Sequence, residues 1–326
     1  MFLIVTAKDD LTTDYLIRRL QQRNQPFFRF NTEDLLSGFE VSLTIQAQSS
    51  EFTIADSVRG VAINSEDISA AYFRKPRIPA LYANAVSAEE HFNRRELLET
   101  LRSIWRLIPE TKWLNSPEAL WLASNKVKQL KIASEIGFRT PPTLISSHPQ
   151  EIITFKNRHH NNVIAKAVKH GFLESDELSL IFTTPLDSED LGSINVRESV
   201  IPAIVQPRLD KQCDLRVTVV GDRVFPVAIL SQENNETSVD WRTWDIKGID
   251  LVHQPFDLPK ALSMKCVDLN RRLNLRFSCI DMVKTIKGEF YFLEVNPNGQ
   301  WAWIEDMVHF PIRDAIIDLL LRGDSL

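Results

Sequence analysis

The sequence predicts a mixed α/β protein of two or three lobes, with a parallel sheet at its N-terminal end. Three observations carry that expectation. Phe2 to Ala7 is a short apolar run, Asp14–Arg23 has helical character, and Pro26–Phe30 is a second apolar run. Strand, helix and strand in such quick succession are the mark of a βαβ unit. Farther on, the strand-like stretches 201–206, 215–220, 224–230, 277–286 and 290–296 crowd into the last third of the chain. Finally, 326 residues exceed what one hydrophobic core ordinarily serves.

Taken in order, Thr12 or Thr13 is the expected cap of the first helix. Apolar residues alternate from 39 to 64 (Phe39, Val41, Leu43 and Ile45, then Phe52 and Ile54), which predicts antiparallel strands on the edge of the N-terminal sheet. Ala70–Arg74 is a short strand ending in the cationic turn Arg74-Lys75-Pro76-Arg77. From 88 to 108, Phe92, Leu97, Leu98, Leu101, Ile104 and Leu107 recur at helical spacing. Asn115-Ser116-Pro117 is a boundary, with Ser116 as N-cap and Pro117 at the first helical position. One helix is expected from there through Leu130, with Gly137 stopping its continuation. Thr140-Pro141-Pro142-Thr143 is an extended connector, Val163–Val168 a strand, 169–180 a mobile loop, and Ile312–Leu321 a last helix.

Composition narrows the function. Apolar residues make up 44% and charged residues 25%, ordinary globular values, and the net charge is −5. That balance argues against a protein that lives on nucleic acid through a basic face. Cys213, Cys266 and Cys279 are odd in number, lack CxxC spacing and sit in apolar stretches. They read as buried thiols of a reducing, cytoplasmic environment rather than as nucleophiles. The N-terminus carries charge by residue 8 and has no basic leader, so no signal peptide is expected. No apolar run approaches the roughly 18 residues of a membrane span.

The chemistry concentrates at 277–296. Two strand-like runs, Phe277–Ile286 and Glu289–Asn296, are joined by Lys287-Gly288. A two-residue turn pairs Ile286 with Glu289, and counting outward sets Asp281 opposite Glu294. Alternation then puts Asn296 on the face of Glu294. Opposed carboxylates about 5 Å apart repel. Removing one relieves the repulsion, and so does a bound cation. Two carboxylates and an amide oxygen are hard ligands that suit Mg²⁺. The alternative is a solvated acidic edge, which the apolar flanks Cys279, Ile280, Phe292, Leu293 and Val295 disfavour. Lys166 stands in the apolar strand Val163–Val168, where an anionic phosphate would neutralise it; it could equally guard a sheet edge. Asp214 and Arg216 share one face of a strand whose other face is Leu215, Val217 and Val219, as a structural ion pair or facing a nucleotide. Lys126 and the tripeptide Asp240-Trp241-Arg242 say little alone, although Arg242 has the planar fork that suits anions.

In this order the pieces resemble the ATP-grasp superfamily, its RimK-like branch, and within it the graspetide (microviridin-type) peptide maturases. The resemblance runs from the first strand to the last helix. It is carried by Asn115-Ser116-Pro117 with the lysine helix after it, Asp214–Gly221, Asp240-Trp241-Arg242, and above all Phe292-Leu293-Glu294-Val295-Asn296-Pro297-Asn298-Gly299-Gln300-Trp301. Asp9-Asp10…Thr13-Asp14 and Tyr72-Phe73-Arg74-Lys75-Pro76 also look like these proteins. The resemblance implies a Rossmann-like pre-ATP-grasp domain over 1–115, a central ATP-grasp subdomain over 116–203 and a C-terminal one over 204–326. It implies ATP and Mg²⁺ as cofactors. Lys126 and Lys166 would hold the α- and β-phosphates. Gln206, Pro207, Arg208 and Leu209 would form the adenine hinge, and Asp214 would meet the ribose. Arg216 and Arg242 would face the γ-phosphate and an acyl phosphate, and Asp281, Glu294 and Asn296 would hold the metal. Pro207 stands where many relatives have Glu, so that contact can only accept a hydrogen bond. The usually glycine-rich phosphate loop has only Gly171 after Lys166.

The activity so implied is an ADP-forming ligase that activates a carboxylate as an acyl phosphate and joins it to a hydroxyl or amine of a ribosomal precursor peptide made of leader and core. A homodimer is also a family expectation; nucleic acid and membrane partners are not. Two readings compete. One is a RimK-like ligase adding free amino acids to a protein or joining small molecules. The other is a silent peptide-binding module, which the intact Lys166, Asp281, Glu294 and Asn296 oppose.

Overall fold

In a computed structural model, the structure describes residues 1–169, 172–173, 179–186 and 199–323. The N-terminal lobe begins with β1 (Phe2–Thr6), α1 (Leu11–Gln22) and β2 (Phe27–Asn31), the expected βαβ unit, with β1 and β2 parallel. Helix α1 starts three residues before the expected Asp14. Its cap is Asp10 rather than a threonine: the Asp10 side chain accepts from the Thr12 and Thr13 amides at 3.0 and 3.4 Å. β3 (Phe39–Ile45), β4 (Ser50–Asp56) and β5 (Val61–Asn64) are antiparallel, as their alternation requires, but they form a sheet of their own instead of an edge on the parallel one. Phe39, Phe52, Ile54 and Ile63 bury one face of it against the lobe's core. β6 (Ala70–Phe73), α2 (Ala88–Leu107) and β7 (Trp113–Leu114) complete a parallel sheet of order β2-β1-β6-β7.

Ser116 caps α3 (Pro117–Ala123), with Pro117 at its start. The single helix expected beyond it is two. Asn125 takes an extended conformation and accepts from the Lys128 amide at 2.9 Å, which restarts the chain as α4 (Lys126–Ile136). Gly137, at φ 88°, closes α4 with its own N–H on Ala133 and Ser134. β8 (Leu144–Ser146), α5 (Pro149–Arg158) and β9 (Val163–Lys166) follow. β10 (Phe172–Leu173) and β11 (Ser179–Leu180) pair with each other. The loop expected over 169–180 otherwise falls largely outside the described residues. β12 (Thr184–Pro185) and β13 (Ala203–Pro207) join the preceding strands in an antiparallel sheet of order β12-β9-β13-β8.

The last sheet runs β16-β15-β14-β17-β18, all antiparallel: β14 (Lys211–Val220), β15 (Arg223–Ile229), β16 (His253–Pro255), β17 (Phe277–Thr285) and β18 (Phe290–Asn296). Leu215, Val217 and Val219 bury one face of central β14 in the main core. Among the helices here, α6 (Thr243–Lys247), α7 (Lys260–Arg272) and α8 (Ala302–Val308) were not anticipated, whereas α9 (Ile312–Arg322) was. For α7 the signal was present: Pro259 precedes it, and Leu262, Cys266 and Leu269 recur at helical spacing on its packed face. All three cysteines are free and buried.

The β17–β18 hairpin sets Asp281 opposite Glu294, as expected, but by a different route. Near the tip Lys284 faces Phe290 and Met282 faces Phe292, one residue out of the register that a two-residue turn would set. A bulge then leaves Leu293 unpaired and restores the count, so that Asp281 meets Glu294 and Cys279 meets Asn296.

Candidate active site

The sheet carrying β9 and β13 and the sheet carrying β14, β17 and β18 border one cleft, with a cavity of about 110 Å³. Lys126, Lys166, Gln206, Pro207, Arg208, Leu209, Asp214, Arg242, Asp281 and Glu294 all line it. Arg216 and Asn296 do not; both stand behind Asp281. Arg216 Nη1 donates to both Asp281 oxygens at 2.9 Å, and Asn296 Nδ2 donates to Asp281 Oδ2 at 2.6 Å.

Lys126, Lys166 and Arg242 each have a carboxylate partner or a reason for their charge to be strained. Lys126 opens α4 and reaches Glu294 Oε2 at 3.0 Å and the Ala167 carbonyl at 3.1 Å. Lys166 ends β9; burial lowers its pKa from the ordinary lysine value, and Glu294 only partly restores it. Burial pushes Glu294 up, but Lys126 and Lys166 outweigh it and hold the carboxyl below its usual range. Asp281 is pushed up by burial, and Glu294 adds to this against the pull of Arg216. Arg242 forks onto Asp240 at 2.8 and 2.5 Å; that pair lowers Asp240 despite its burial. Asp214 is raised by burial, although Lys211 and a 2.5 Å bond from Ser231 oppose the shift.

The donor chemistry fits a hard divalent cation. Among the described residues no cluster of three or more His, Cys, Asp or Glu side chains could cage a metal alone. Two carboxylates with one amide are what Mg²⁺ takes when water and phosphate oxygens complete its shell. The apolar part of the cleft, Ile164, Ile181, Met282 and Leu293, offers a flat base a dry wall. In Gln206 the side chain has another duty: Nε2 donates to Thr143 Oγ1 at 2.8 Å, tying the hinge to the Pro141-Pro142 connector.

Two site residues escaped the sequence reading. Lys211 pairs with Asp214 at 3.0 Å, although strict alternation sends positions three apart to opposite faces. A register shift between Lys211 and Cys213 turns them together. Gln129 is buried on α4, one turn after Lys126. Its Nε2 donates to the Val295 carbonyl at 2.8 Å, and its Oε1 accepts from the Val295 amide at 2.9 Å. This side chain docks α4 on the edge of β18 and aims Lys126 at Glu294. Gln129→Ala leaves both Val295 groups unsatisfied in a dry place, so a loss of about 2–4 kcal/mol is expected in urea unfolding, with turnover lowered as Lys126 drifts.

Residues 1–120 match the family model of the MvdD pre-ATP grasp domain. No curated protein matches the sequence. Among solved structures, the macrocyclase MdnC from Microcystis aeruginosa MRC, bound with precursor peptide MdnA, is 26% identical with a TM-score of 0.86, over 99% of this chain and 100% of that one. The RiPP-associated ATP-grasp ligase of Chryseobacterium gregarium, in complex with ADP and a leader and core peptide, is 25% identical with a TM-score of 0.88, over 99% and 97%. The macrocyclase MdnB from Microcystis aeruginosa MRC is 25% identical with a TM-score of 0.79, over 98% of each chain. With two antiparallel sheets around a lysine- and carboxylate-lined cleft, this chain has the fold of the ATP-grasp ligases, matches the MvdD pre-ATP grasp domain over its first 120 residues, and is similar over nearly its whole length to the macrocyclase MdnC and the RiPP-associated ligase.

Proposed function

We propose that this protein is an ATP-dependent, ADP-forming ligase that installs side-chain ester or amide crosslinks in a ribosomal precursor peptide. One observation carries the reading: a cleft that joins phosphate-type lysines to an opposed Asp281–Glu294 pair, in a chain alike end to end with a ligase bound to ADP and peptide. The division into 1–115, 116–203 and 204–326 belongs to the same proposal. The cofactors would be ATP and Mg²⁺, with Asp281, Glu294 and Asn296 holding the metal, which when bound neutralises phosphate charge.

In this reading Lys126 and Lys166 bind the α- and β-phosphates, while Arg208 and the backbone of Pro207 and Leu209 border the adenine. Asp214, oriented by Lys211 and Ser231, takes the ribose. A substrate carboxylate oxygen bonds to the γ-phosphorus as the bond to ADP breaks. Arg242 stabilises the charge that develops there, and Arg216, seated behind Asp281, acts through that carboxylate. A hydroxyl or amine of the same peptide then bonds to the acyl carbon, phosphate leaves and a proton is released. The peptide loses one water per crosslink. No residue of the chain is required to form a covalent bond, in keeping with three buried cysteines.

The test is coupled turnover. With ATP and magnesium alone, ADP should form slowly; the right precursor peptide should raise ADP release at least tenfold (about 1.4 kcal/mol of barrier), with one water lost per ADP by mass spectrometry. Hydroxylamine should trap a hydroxamate. AMP in place of ADP would mean adenylation and defeat the proposal. Peptide gaining the mass of an amino acid would point instead to the RimK-like activity.

A further inference from the structure

Four consecutive carbonyls after Asn296 are held by side chains from distant parts of the chain. Asn115 Nδ2 donates to Pro297 O at 2.9 Å. Arg74 Nη1 donates to Asn298 O at 2.5 Å and to Gly299 O at 3.1 Å, and lies 3.0 Å from Asn298 Oδ1. Arg216 Nη2 donates to Gln300 O at 3.4 Å. The segment therefore lies between two guanidiniums, one from the N-terminal lobe and one from β14 in the catalytic sheet.

Arg74 is only 1% exposed. Its cost of burial is offset by Asp10, 3.2 Å from Nε. Asp10 is itself held in place: it caps α1 and accepts from Thr13 Oγ1 at 3.1 Å. On the opposite side there is no slack. A Cβ on Gly299 would stand 2.6 Å from Cys279 Cβ and 2.9 Å from Arg216 Nη2. Any movement of this segment therefore displaces Arg216, which holds Asp281, or Asn296, which also holds Asp281.

Resting on the ligase reading above, we infer that Arg74 is a positioning residue for the reaction: through the 297–300 carbonyls it keeps Arg216 and Asn296 registered on Asp281. The N-terminal lobe thereby acts on the chemistry without touching substrate. A guanidinium is required, because Nη1 meets the carbonyls while Nε faces Asp10, and an ammonium offers one nitrogen in place of these two.

Arg74→Lys retains the charge beside Asp10 and so separates positioning from mere support of the fold. The expected result is a kcat lowered by about thirtyfold or more, as small misplacements at a reacting centre cost, with peptide KM changed less than about threefold and a circular dichroism spectrum like that of the parent. Amide exchange over 298–301 should quicken by about tenfold, one decade of local stability. Asp10→Asn, which keeps the cap acceptor, should give the same pattern in milder form and serves if the lysine variant does not fold. Parent-like kcat and parent-like exchange in these variants would overturn the inference. If the parent protein turns over no peptide at all, the ligase reading has failed instead, and exchange over 298–301 still decides the role of Arg74: unchanged protection overturns it.

Discussion

Asp281→Asn and Glu294→Gln should each lower peptide-dependent ADP release by about a thousandfold or more while leaving the fold intact, since in the proposed reaction each removes a metal-holding charge beside the transferring phosphoryl group. The two should differ in stability. Like charges facing across a hairpin suggest that losing one is a gain. In the folded chain that repulsion is already neutralised, by Arg216 on Asp281 and by Lys126 on Glu294. Asp281→Asn takes the carboxylate from a guanidinium that is almost wholly buried, and a loss of about 3 kcal/mol is expected. Glu294→Gln should cost about 1 kcal/mol, because Lys126 keeps the Ala167 carbonyl and some water. Urea unfolding and ADP release on the same preparations test both halves. Parent-like ADP release in either variant would remove that residue from the metal and phosphate site.

Lys166→Ala is the second large effect. It should weaken binding of a non-hydrolysable ATP analogue by roughly thirty- to a thousandfold, or about 2–4 kcal/mol, the cost of stripping a phosphate of its one-sided partner in a dry site. Lys169→Ala, exposed and three residues beyond, should change it less than about twofold. The lowered pKa of Lys166 has a signed consequence. As pH rises toward the ordinary lysine value of 10.5, Lys166 loses its proton before a free lysine would, and affinity for the anion falls with it. Bound phosphate favours the cation, so analogue binding at alkaline pH should take up protons, seen as a buffer-dependent heat in calorimetry, and Lys166→Ala should abolish that uptake. Equal effects at 166 and 169, or no linked proton, would count against a phosphate role for Lys166.

Residues that alternate or cap within their own segment were legible in the chain itself: the βαβ start, the Ser116 cap ahead of Pro117, and the strands 277–286 and 290–296. The Asp281–Glu294 pairing was also legible, though only because two displacements cancelled. The turn is one residue off the simple count, and the bulge at Leu293 compensates. Bulges depend on how a strand packs against its neighbours, and no local pattern announces them. The same limit hid Lys211, which a register shift rotates onto Asp214.

By itself, then, the sequence determined the α/β class, the acidic hairpin and the lysine in an apolar strand, because each rests on neighbours in the chain and on periods of 2.0 or 3.6 residues, while the ligase resemblance rested on the motifs Asn115-Ser116-Pro117 and Phe292–Trp301. Only the tertiary structure decided what surrounds them. It put Arg216 and Asn296 behind Asp281 rather than at the cleft wall, gave Gln129 the backbone of Val295, and buried Arg74 beneath Asn298 and Gly299. These contacts join residues separated by 15 to 225 positions. Their partners are chosen by packing, since a buried donor must find whichever acceptor the fold brings within about 3 Å.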